Sequence, residues 1–185
     1  MRIEPFLTEQ FFAEYEFSAR HLLASSDCET MSVGELLRLS GSSLEELAGL
    51  TLGYTESQGD PRLRSYISQM YSDVSSEDIV VLTSPVEGIY LAMQTLLEPE
   101  DEVIALRPAY DALNNVARHL CREVLAWNLN PGKDRWELDF DQLESIIGPQ
   151  TRMLVVNFPH NPTGYVPSTS EFDRLIRLAR KNNVW

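Results

Sequence analysis

From residue 79 onward, short apolar runs alternate with stretches in which apolar residues recur at the helical period. The runs predict strands at 79–82, 102–106, 123–127 and 152–157. The stretches that follow them predict helices at 85–97, 110–120, 139–147 and 170–181. Strands that are apolar on both faces need cover on both sides, which a parallel sheet between two helical layers provides. The sequence therefore predicts an α/β fold with three αβα layers and a mainly parallel sheet.

The first part of the chain has a different pattern, which predicts helices without strands. Apolar residues recur at helical spacing over 6–23, which indicates an amphipathic helix. Two short helices are predicted to follow, each beginning at a capping box, and an Asp-Pro pair predicts a further helix over 61–72. The capping residues are Ser32 with Glu35, Ser43 with Glu46, and Asp60 before Pro61. The pattern therefore predicts that the first part of the chain is helical and that the strands begin only at residue 79.

The composition excludes several classes of protein. With 43% apolar and 23% charged residues, the chain has the make-up of a globular domain. Its net charge of −13 opposes binding to nucleic acid or to an anionic membrane surface. The start, MRIEPFLTEQ, lacks a basic-then-apolar signal peptide and no apolar run approaches a membrane span, so a cytoplasmic location is expected. Cys28 and Cys121 have no C-x-x-C spacing, which argues against a disulfide framework and a zinc site.

Two predicted strands end in residues that could bind a ligand, because ligands of parallel sheets bind at the carboxyl ends of the strands. After 79–82, Ser84 is suited to cap a helix and Pro85 to begin it. The unpaired amides of such a helix start suit a phosphate, although a cap without a ligand explains the same residues. After 102–106 comes Tyr110, which could stack on a planar ring, although a packing aromatic is the commoner outcome.

The last predicted strand is followed by NFPHNPTG, residues 157–164. These residues predict a tight turn in which Gly164 takes a positive φ. The amide of Asn161, held beside a strand end, could donate a hydrogen bond to a ligand oxygen. His160 has no partner at metal-ligand spacing, so a structural role is predicted for it and no metal site is expected.

Together these stretches resemble the pyridoxal-phosphate-dependent aminotransferases of class I and II, the fold-type-I family. The resemblance covers the chain from about Leu50 to the end, and its pieces come in family order. They are GYTESQG with PRLR at 53–64, residues 84–90, EPEDEV at 98–103, PAY at 108–110, and NFPHNPTG at 157–164.

The resemblance implies a fold, a cofactor and site residues. The chain would consist of an N-terminal helical segment, 1–49, that is part of the small domain or dimer arm, and of the first part of the family's large domain, 50–185. Asn161 would bind the phenolic oxygen of pyridoxal 5'-phosphate, and Tyr110 would stack on its ring. The turn formed by Ser84, Pro85 and Val86 would receive the phosphate, and Tyr54 would reach the phosphate of a partner subunit in a homodimer. The substrates would be an amino acid and a 2-oxo acid.

Two stretches depart from the family pattern. Many members have Gly-Ala-Ser or Gly-Ala-Thr where this chain has Ser84-Pro85-Val86. Pro85 has no amide to donate and Val86 has no hydroxyl, although Ser84 could substitute. Residues 26–29 read SDCE where many members carry a glycine-rich stretch over the substrate. Substrate choice therefore does not carry over from the family.

The resemblance also implies that the catalytic lysine lies beyond NPTG. The same holds for the aspartate that pairs with the pyridine nitrogen and for the arginine that binds the substrate carboxylate. The two lysines of the chain, Lys133 and Lys181, do not match that position. The 185 residues alone are therefore predicted to be inactive. In the family the first strand pairs with a much later one, so 79–82 is expected to expose an edge, and 182–185 is interpreted as the entry to a further strand.

Alternative functions remain open at this point. Within the same fold, elimination, cyclisation or oxidation of an amino acid are the nearest reactions. A non-enzymatic reading is a truncated remnant or a binding domain. A plain nucleotide-binding domain is disfavoured because no G-x-G-x-x-G or G-x-x-x-x-G-K-[ST] motif follows any predicted strand.

Overall fold

The computed structural model describes residues 3–185, which form two compact units. One unit combines residues 3–26 with 85–185, and the other comprises 27–84. This division by compactness differs from the boundary between residues 49 and 50 that the sequence suggests. The assignment of 1–49 and 50–185 to domains of the family stays a prediction.

The helices and strands follow each other in the order that the sequence indicates, with small differences in their bounds. They are α1 (Leu7–Tyr15), α2 (Val33–Ser40), α3 (Leu44–Ala48), α4 (Pro61–Ser68), a 3-10 turn (Ser76–Asp78), α5 (Pro85–Leu96), β1 (Glu102–Arg107), α6 (Asp111–Leu120), β2 (Glu123–Pro131), β3 (Trp136–Leu138), α7 (Phe140–Ile146), β4 (Thr151–Val155) and α8 (Thr169–Lys181). None of the helices within residues 3–185 is long and apolar enough to span a membrane.

The sheet has the order β3-β2-β1-β4 and lies in the unit that contains residues 85–185. β1 pairs in parallel with both neighbours, with Leu106 opposite Trp127 and Ala105 opposite Val155. β3 pairs antiparallel with β2 through a tight hairpin. The mainly parallel sheet is therefore confirmed. The short strand β3 was not predicted, because three residues carry too little pattern to identify a strand.

The central strand is buried on both faces, as the three-layer prediction requires. Val103 and Ala105 pack with the helices α5 and α6, in a cluster that includes Met93 and Val116. Ile104 and Leu106 face the opposite side. There they pack with residues of β2, α7 and α8, namely Trp127, Leu129, Phe140, Leu143, Leu175 and Leu178. Alternating side chains of one strand thus hold two helical layers together, which confirms the αβα arrangement.

The predicted strand at 79–82 is wrong. No strand of residues 3–185 pairs with this segment, so it lacks the ladder of hydrogen bonds that defines a strand. The Val81 amide donates instead to the Gln58 carbonyl at 2.8 Å, within the unit 27–84. Val80 and Leu82 remain 54% and 40% exposed. The apolar β-branched run therefore has the composition of a strand without the neighbour that would make it one.

The predicted N-terminal helix over 6–23 is too long, since α1 ends at Tyr15. The Ser18 hydroxyl donates to the Glu14 carbonyl at 3.0 Å and thus competes for the backbone groups of the last turn. The helix predicted over 61–72 likewise ends early, at Ser68.

The predicted helix starts are confirmed. Ser32 with Glu35 and Ser43 with Glu46 form complete capping boxes. The Asp60 carboxylate accepts the amides of the first turn of α4, whose first residue is a proline.

Residues at the end of the chain pair with the outer edge of β4. The Trp185 amide donates to the Arg152 carbonyl at 3.0 Å, and the Trp185 carbonyl accepts the Leu154 amide at 2.8 Å. This is the bonding pattern of a parallel neighbour. It agrees with the interpretation of 182–185 as the entry to a further strand.

Candidate functional site

The carboxyl ends of β1 and β4 bring two predicted site segments together. The strands are parallel neighbours, so the loops that follow them leave the same edge of the sheet. The loop after β1 contains Pro108 and Tyr110, and the loop after β4 contains the NPTG turn. The two loops therefore lie next to each other, and the Pro108 backbone comes close to the imidazole of His160.

The turn that carries Asn161 is closed by its own hydrogen bonds. The Gly164 amide donates to the His160 carbonyl at 2.6 Å, and the His160 amide donates to the Tyr165 carbonyl at 2.8 Å. Gly164 has a φ of 71°, a left-handed conformation that glycine adopts without strain. Asn161 is exposed at the tip of this turn. The predicted tight turn is therefore confirmed.

His160 supports the turn from the inside. Its side chain is only 2% exposed, and its Nδ1 lies 2.8 Å from Thr163 Oγ1. Burial lowers the pKa of His160, and the Pro108 backbone only partly opposes this. A neutral, buried imidazole that bonds within its own turn is a structural group. Among residues 3–185, no group of three or more His, Cys, Asp and Glu side chains is arranged to hold a metal ion.

Tyr110 stands at the start of α6, where it is the N-cap residue. Its hydroxyl donates to Glu9 Oε1 at 2.6 Å, and its ring centroid lies 6.5 Å from that of Phe6 at an angle of 58°. Burial raises the pKa of Tyr110 to about 12, and the Glu9 carboxylate adds to this rise. The phenol therefore stays protonated at neutral pH. The side chain is half-buried, so part of its ring remains accessible.

The predicted phosphate turn coincides with the start of α5. Pro85 is the first residue of this helix and Val86 the second, while Ser84 directly precedes it. The helix packs against α6, which begins after Tyr110. Tyr54 lies in the unit 27–84 and is fully exposed. The structure thus brings the Tyr110 and Asn161 loops together, while Tyr54 and Ser84 belong to the other compact unit.

The sequence as a whole matches one family model, that of the class I and II aminotransferases, over residues 23–185. This chain belongs to that family. It is 32% identical to capreomycidine synthase of Streptomyces vinaceus over 158 residues, which cover 84% of this chain and 40% of that protein. It is 30% identical to aspartate aminotransferase of Sulfolobus acidocaldarius over 156 residues, which cover 80% of this chain and 38% of the relative.

Solved structures show the same aminotransferase fold. A PLP-dependent aminotransferase from Streptococcus suis superposes on the whole chain with a TM-score of 0.91 and 29% identity, over 50% of its own length. The PLP-dependent cyclase OrfR, solved in complex with Au, superposes with a TM-score of 0.87 and 25% identity, over 48% of its length. The fold is therefore that of fold type I. The chain spans about two fifths of the curated relatives and corresponds to their N-terminal portion.

Two residues beside this candidate site were not identified from the sequence. Glu9 contacts Tyr110 across a separation of 101 residues, which no local pattern reveals. Arg107 is the last residue of β1, and its Nε is buried without a hydrogen-bond partner among the described residues. Burial lowers the pKa of Arg107, and the nearby charge of Arg118 lowers it further. The sequence signal that could have identified Arg107 is its position at the end of a predicted strand, directly before Pro108.

Proposed function

We propose that this chain is the part of a pyridoxal-phosphate-dependent aminotransferase that supplies one wall of the cofactor pocket. The whole enzyme would transfer an amino group between an amino acid and a 2-oxo acid. The observation that carries the proposal is the adjacency of β1 and β4, because it sets Tyr110 and Asn161 at one edge of the sheet. The membership of the aminotransferase family supplies the cofactor and the reaction class.

The residues at this edge fit the ring of the cofactor. The side chain of Asn161 is exposed and bonds to none of the described residues 3–185, so its amide is available to the phenolic oxygen. The half-buried Tyr110 ring offers a surface for stacking on the pyridine. When bound, the cofactor supplies an electron-withdrawing ring that stabilises charge at the substrate's α-carbon. The chain's own contribution is to orient that ring.

The phosphate end has fewer donors than the usual family pattern. The start of α5 provides the positive end of a helix, which favours an anion. Pro85 contributes no amide and Val86 no hydroxyl. We propose that Ser84 supplies the hydroxyl that replaces the one missing at Val86. This arrangement predicts a weaker hold on the phosphate than in relatives with Gly-Ala-Ser or Gly-Ala-Thr.

The lysine that binds the cofactor covalently is proposed to lie outside these 185 residues. Lys133 is exposed in the hairpin between β2 and β3, and Lys181 is exposed at the last position of α8. Neither belongs to the loops that carry Tyr110 and Asn161. We further propose that the whole enzyme is a homodimer in which Tyr54 reaches the partner's cofactor phosphate. The full exposure of Tyr54 supports this, because such a residue must be free to contact a second subunit.

Cyclisation of an amino acid is the second candidate, and two relatives favour it. Capreomycidine synthase is 32% identical to this chain, and the cyclase OrfR superposes on it with a TM-score of 0.87. Amino acids labelled with ¹⁵N separate the two reactions in the whole protein. Transamination moves the label to the acceptor and leaves a 2-oxo acid, whereas cyclisation keeps the label in the product. Mass spectrometry of the products decides between them.

Asn161→Ala in the whole protein tests the cofactor pocket itself. Loss of a hydrogen bond to a charged oxygen is expected to weaken pyridoxal phosphate binding by roughly tenfold or more. Asn130→Ala is the matched control, because Asn130 is exposed on β2 and outside the site. Equilibrium dialysis measures both affinities. Equal affinity of the two variants would show that the turn does not bind the cofactor.

A further inference from the structure

We propose that Glu9 is a positioning residue, which holds the Tyr110 ring in the orientation that stacks on the cofactor. The inference rests on the proposed function, because it assumes that Tyr110 contacts the pyridine ring. It adds the N-terminal helix α1 to the cofactor pocket, through a residue that does not itself touch the cofactor.

The central contact is a short hydrogen bond between residues far apart in the chain. The Tyr110 hydroxyl donates to Glu9 Oε1 at 2.6 Å, across 101 residues of sequence. Hydrogen bonds between a hydroxyl and a carboxylate are shorter and stronger than neutral ones. The bond fixes the far end of the side chain, and the helix start fixes its backbone, since the Leu113 amide donates to the Tyr110 carbonyl at 3.0 Å.

The segment that carries Glu9 is itself anchored to α6. The amide and hydroxyl of Thr8 both donate to Asp111 Oδ2, at 2.8 and 3.0 Å. The Asn115 side-chain amide donates to the Pro5 carbonyl at 3.1 Å. Arg118 forms an ion pair with Glu4 at 3.2 Å. Glu9 is therefore held to α6, the helix whose N-cap is Tyr110.

The anchoring residues of α6 lie on one face of the helix. Positions 111, 115 and 118 follow the spacing of four and three residues that places side chains in one row. This row holds residues 4–8, which include the start of α1, at three points over two helical turns. The Glu9 carboxylate is exposed, but it lies on an anchored segment, so it restrains the tyrosine ring more than a carboxylate on a mobile segment would.

The ring is also restrained from its side. Phe6 lies against Tyr110 with a centroid distance of 6.5 Å, in a tilted arrangement typical of packed aromatic pairs. Phe6 belongs to the anchored segment that also carries Glu9. The phenol is thus restrained by Glu9 at its hydroxyl and by Phe6 at its ring, two residues of one segment, while part of the ring stays accessible to a planar ligand.

The first experiment detects the Glu9–Tyr110 bond in the chain itself. Tyrosines are labelled with ¹³C at Cζ, and the Tyr110 resonance is assigned by its loss in Tyr110→Phe. Glu9→Ala and Glu9→Gln are expected to shift this resonance at neutral pH and to let the phenol ionise at lower pH than in the wild type. Glu14→Ala, which removes a carboxylate from the same helix, is the control. A resonance that is unchanged in both Glu9 variants overturns the inference.

The second experiment measures the consequence for the cofactor in the whole protein. Glu9→Ala is expected to weaken pyridoxal phosphate binding roughly fivefold, while Glu14→Ala leaves it unchanged. Glu9→Gln keeps an acceptor oxygen, so it should restore most of the affinity. In a Tyr110→Phe background, Glu9→Ala should have no further effect, because the hydroxyl that it positions is absent.

The outcomes separate this inference from the proposed function. If Tyr110→Ala leaves cofactor affinity unchanged, the stacking role in the proposed function is wrong. If Tyr110→Ala weakens binding but Glu9→Ala matches Glu14→Ala, only the positioning role of Glu9 is wrong. Equal effects of Glu9→Ala with and without the Tyr110 hydroxyl would also contradict it, since Glu9 would then act by another route.

Discussion

His160 Nδ1 and Thr163 Oγ1 lie 2.8 Å apart inside the turn whose tip carries Asn161. Thr163 Oγ1 also accepts the Tyr165 amide at 3.3 Å, so one hydroxyl joins both sides of the turn. The turn that carries the exposed Asn161 amide, which is proposed to bind the cofactor, is therefore supported from inside by the buried His160 imidazole and the Thr163 hydroxyl. Changes to these supporting residues should act on the turn without touching the ligand.

The pH dependence of stability provides a test of the buried state of His160. Burial lowers the pKa of His160 in the folded protein. As the pH falls below the ordinary value of 6.5, the unfolded chain therefore binds a proton at His160 before the folded protein does. The contribution of neutral His160 to the free energy of unfolding is therefore fully present above pH 6.5, and it decreases as the pH drops below that value. Urea unfolding between about pH 5 and 8 should show this slope in the wild type and a shallower one in His160→Gln.

His119→Gln is the control for this measurement, because His119 lies outside the turn. The unfolding free energy of this variant should depend on pH in the same way as that of the wild type. If His160→Gln and the wild type have the same slope over this range, His160 is not held neutral in the folded protein.

Gly164→Ala should destabilise the protein by about 1 kcal/mol through backbone conformation alone. Gly164 has a φ of 71°, and no atom lies within 4 Å of the position that a Cβ would take. Gly148→Ala is matched to it, since that Cβ also meets nothing within 4 Å and the φ of Gly148 is not positive. Thermal unfolding of both variants measures the difference. Equal melting temperatures would contradict a left-handed conformation at Gly164.

Glu171→Gln should destabilise α8 by about 1 kcal/mol at neutral pH, because glutamine keeps an acceptor for the capping box but loses the negative charge at the helix start and the ion pair with Arg135. Although burial alone raises the pKa of Glu171, the hydrogen bonds from Ser168 outweigh it and hold the pKa below its usual value of 4.5. The stabilisation is therefore present above about pH 4.5 and is lost as the pH falls through the lower, folded value.

Denaturant unfolding of Glu171→Gln and wild type at neutral and at acidic pH tests this prediction. The difference in unfolding free energy should shrink on acidification. Asp173→Asn, two residues further along the same helix and outside the capping box, should show no such shrinking difference. A constant difference for Glu171→Gln would indicate that its charge does not stabilise the helix start.

The chain alone should form no specific covalent bond with pyridoxal phosphate. Lys133 and Lys181 are both exposed and lie outside the Tyr110 and Asn161 loops, so neither is oriented by the proposed pocket. After borohydride reduction, peptide mass mapping should find no saturating cofactor label on either lysine. Stoichiometric labelling of Lys133 or Lys181, abolished by its replacement with arginine, would place the reactive lysine within these residues.

The elements that the sequence predicted well are those whose signal is local. The capping boxes of Ser32 and Ser43 depend only on two residues three positions apart, and β1 is a run of apolar residues buried on both faces. The segment 79–82 has equally good strand composition, but a strand requires a neighbour, which composition does not reveal. The tight turn at Gly164 was predictable from turn chemistry. The bond from Tyr110 to Glu9 was not, because it depends on how distant segments pack.

The attachment of residues 4–9 to α6 has a consequence for the order in which the protein matures. Residues 4–9 are synthesised before their partners at 110–118, which follow more than 100 residues later. Contacts of such long sequence separation close large loops and form late in folding. We therefore expect the Tyr110 side of the pocket to be completed only after the sheet has formed, when residues 4–9 pack against Tyr110 and α6.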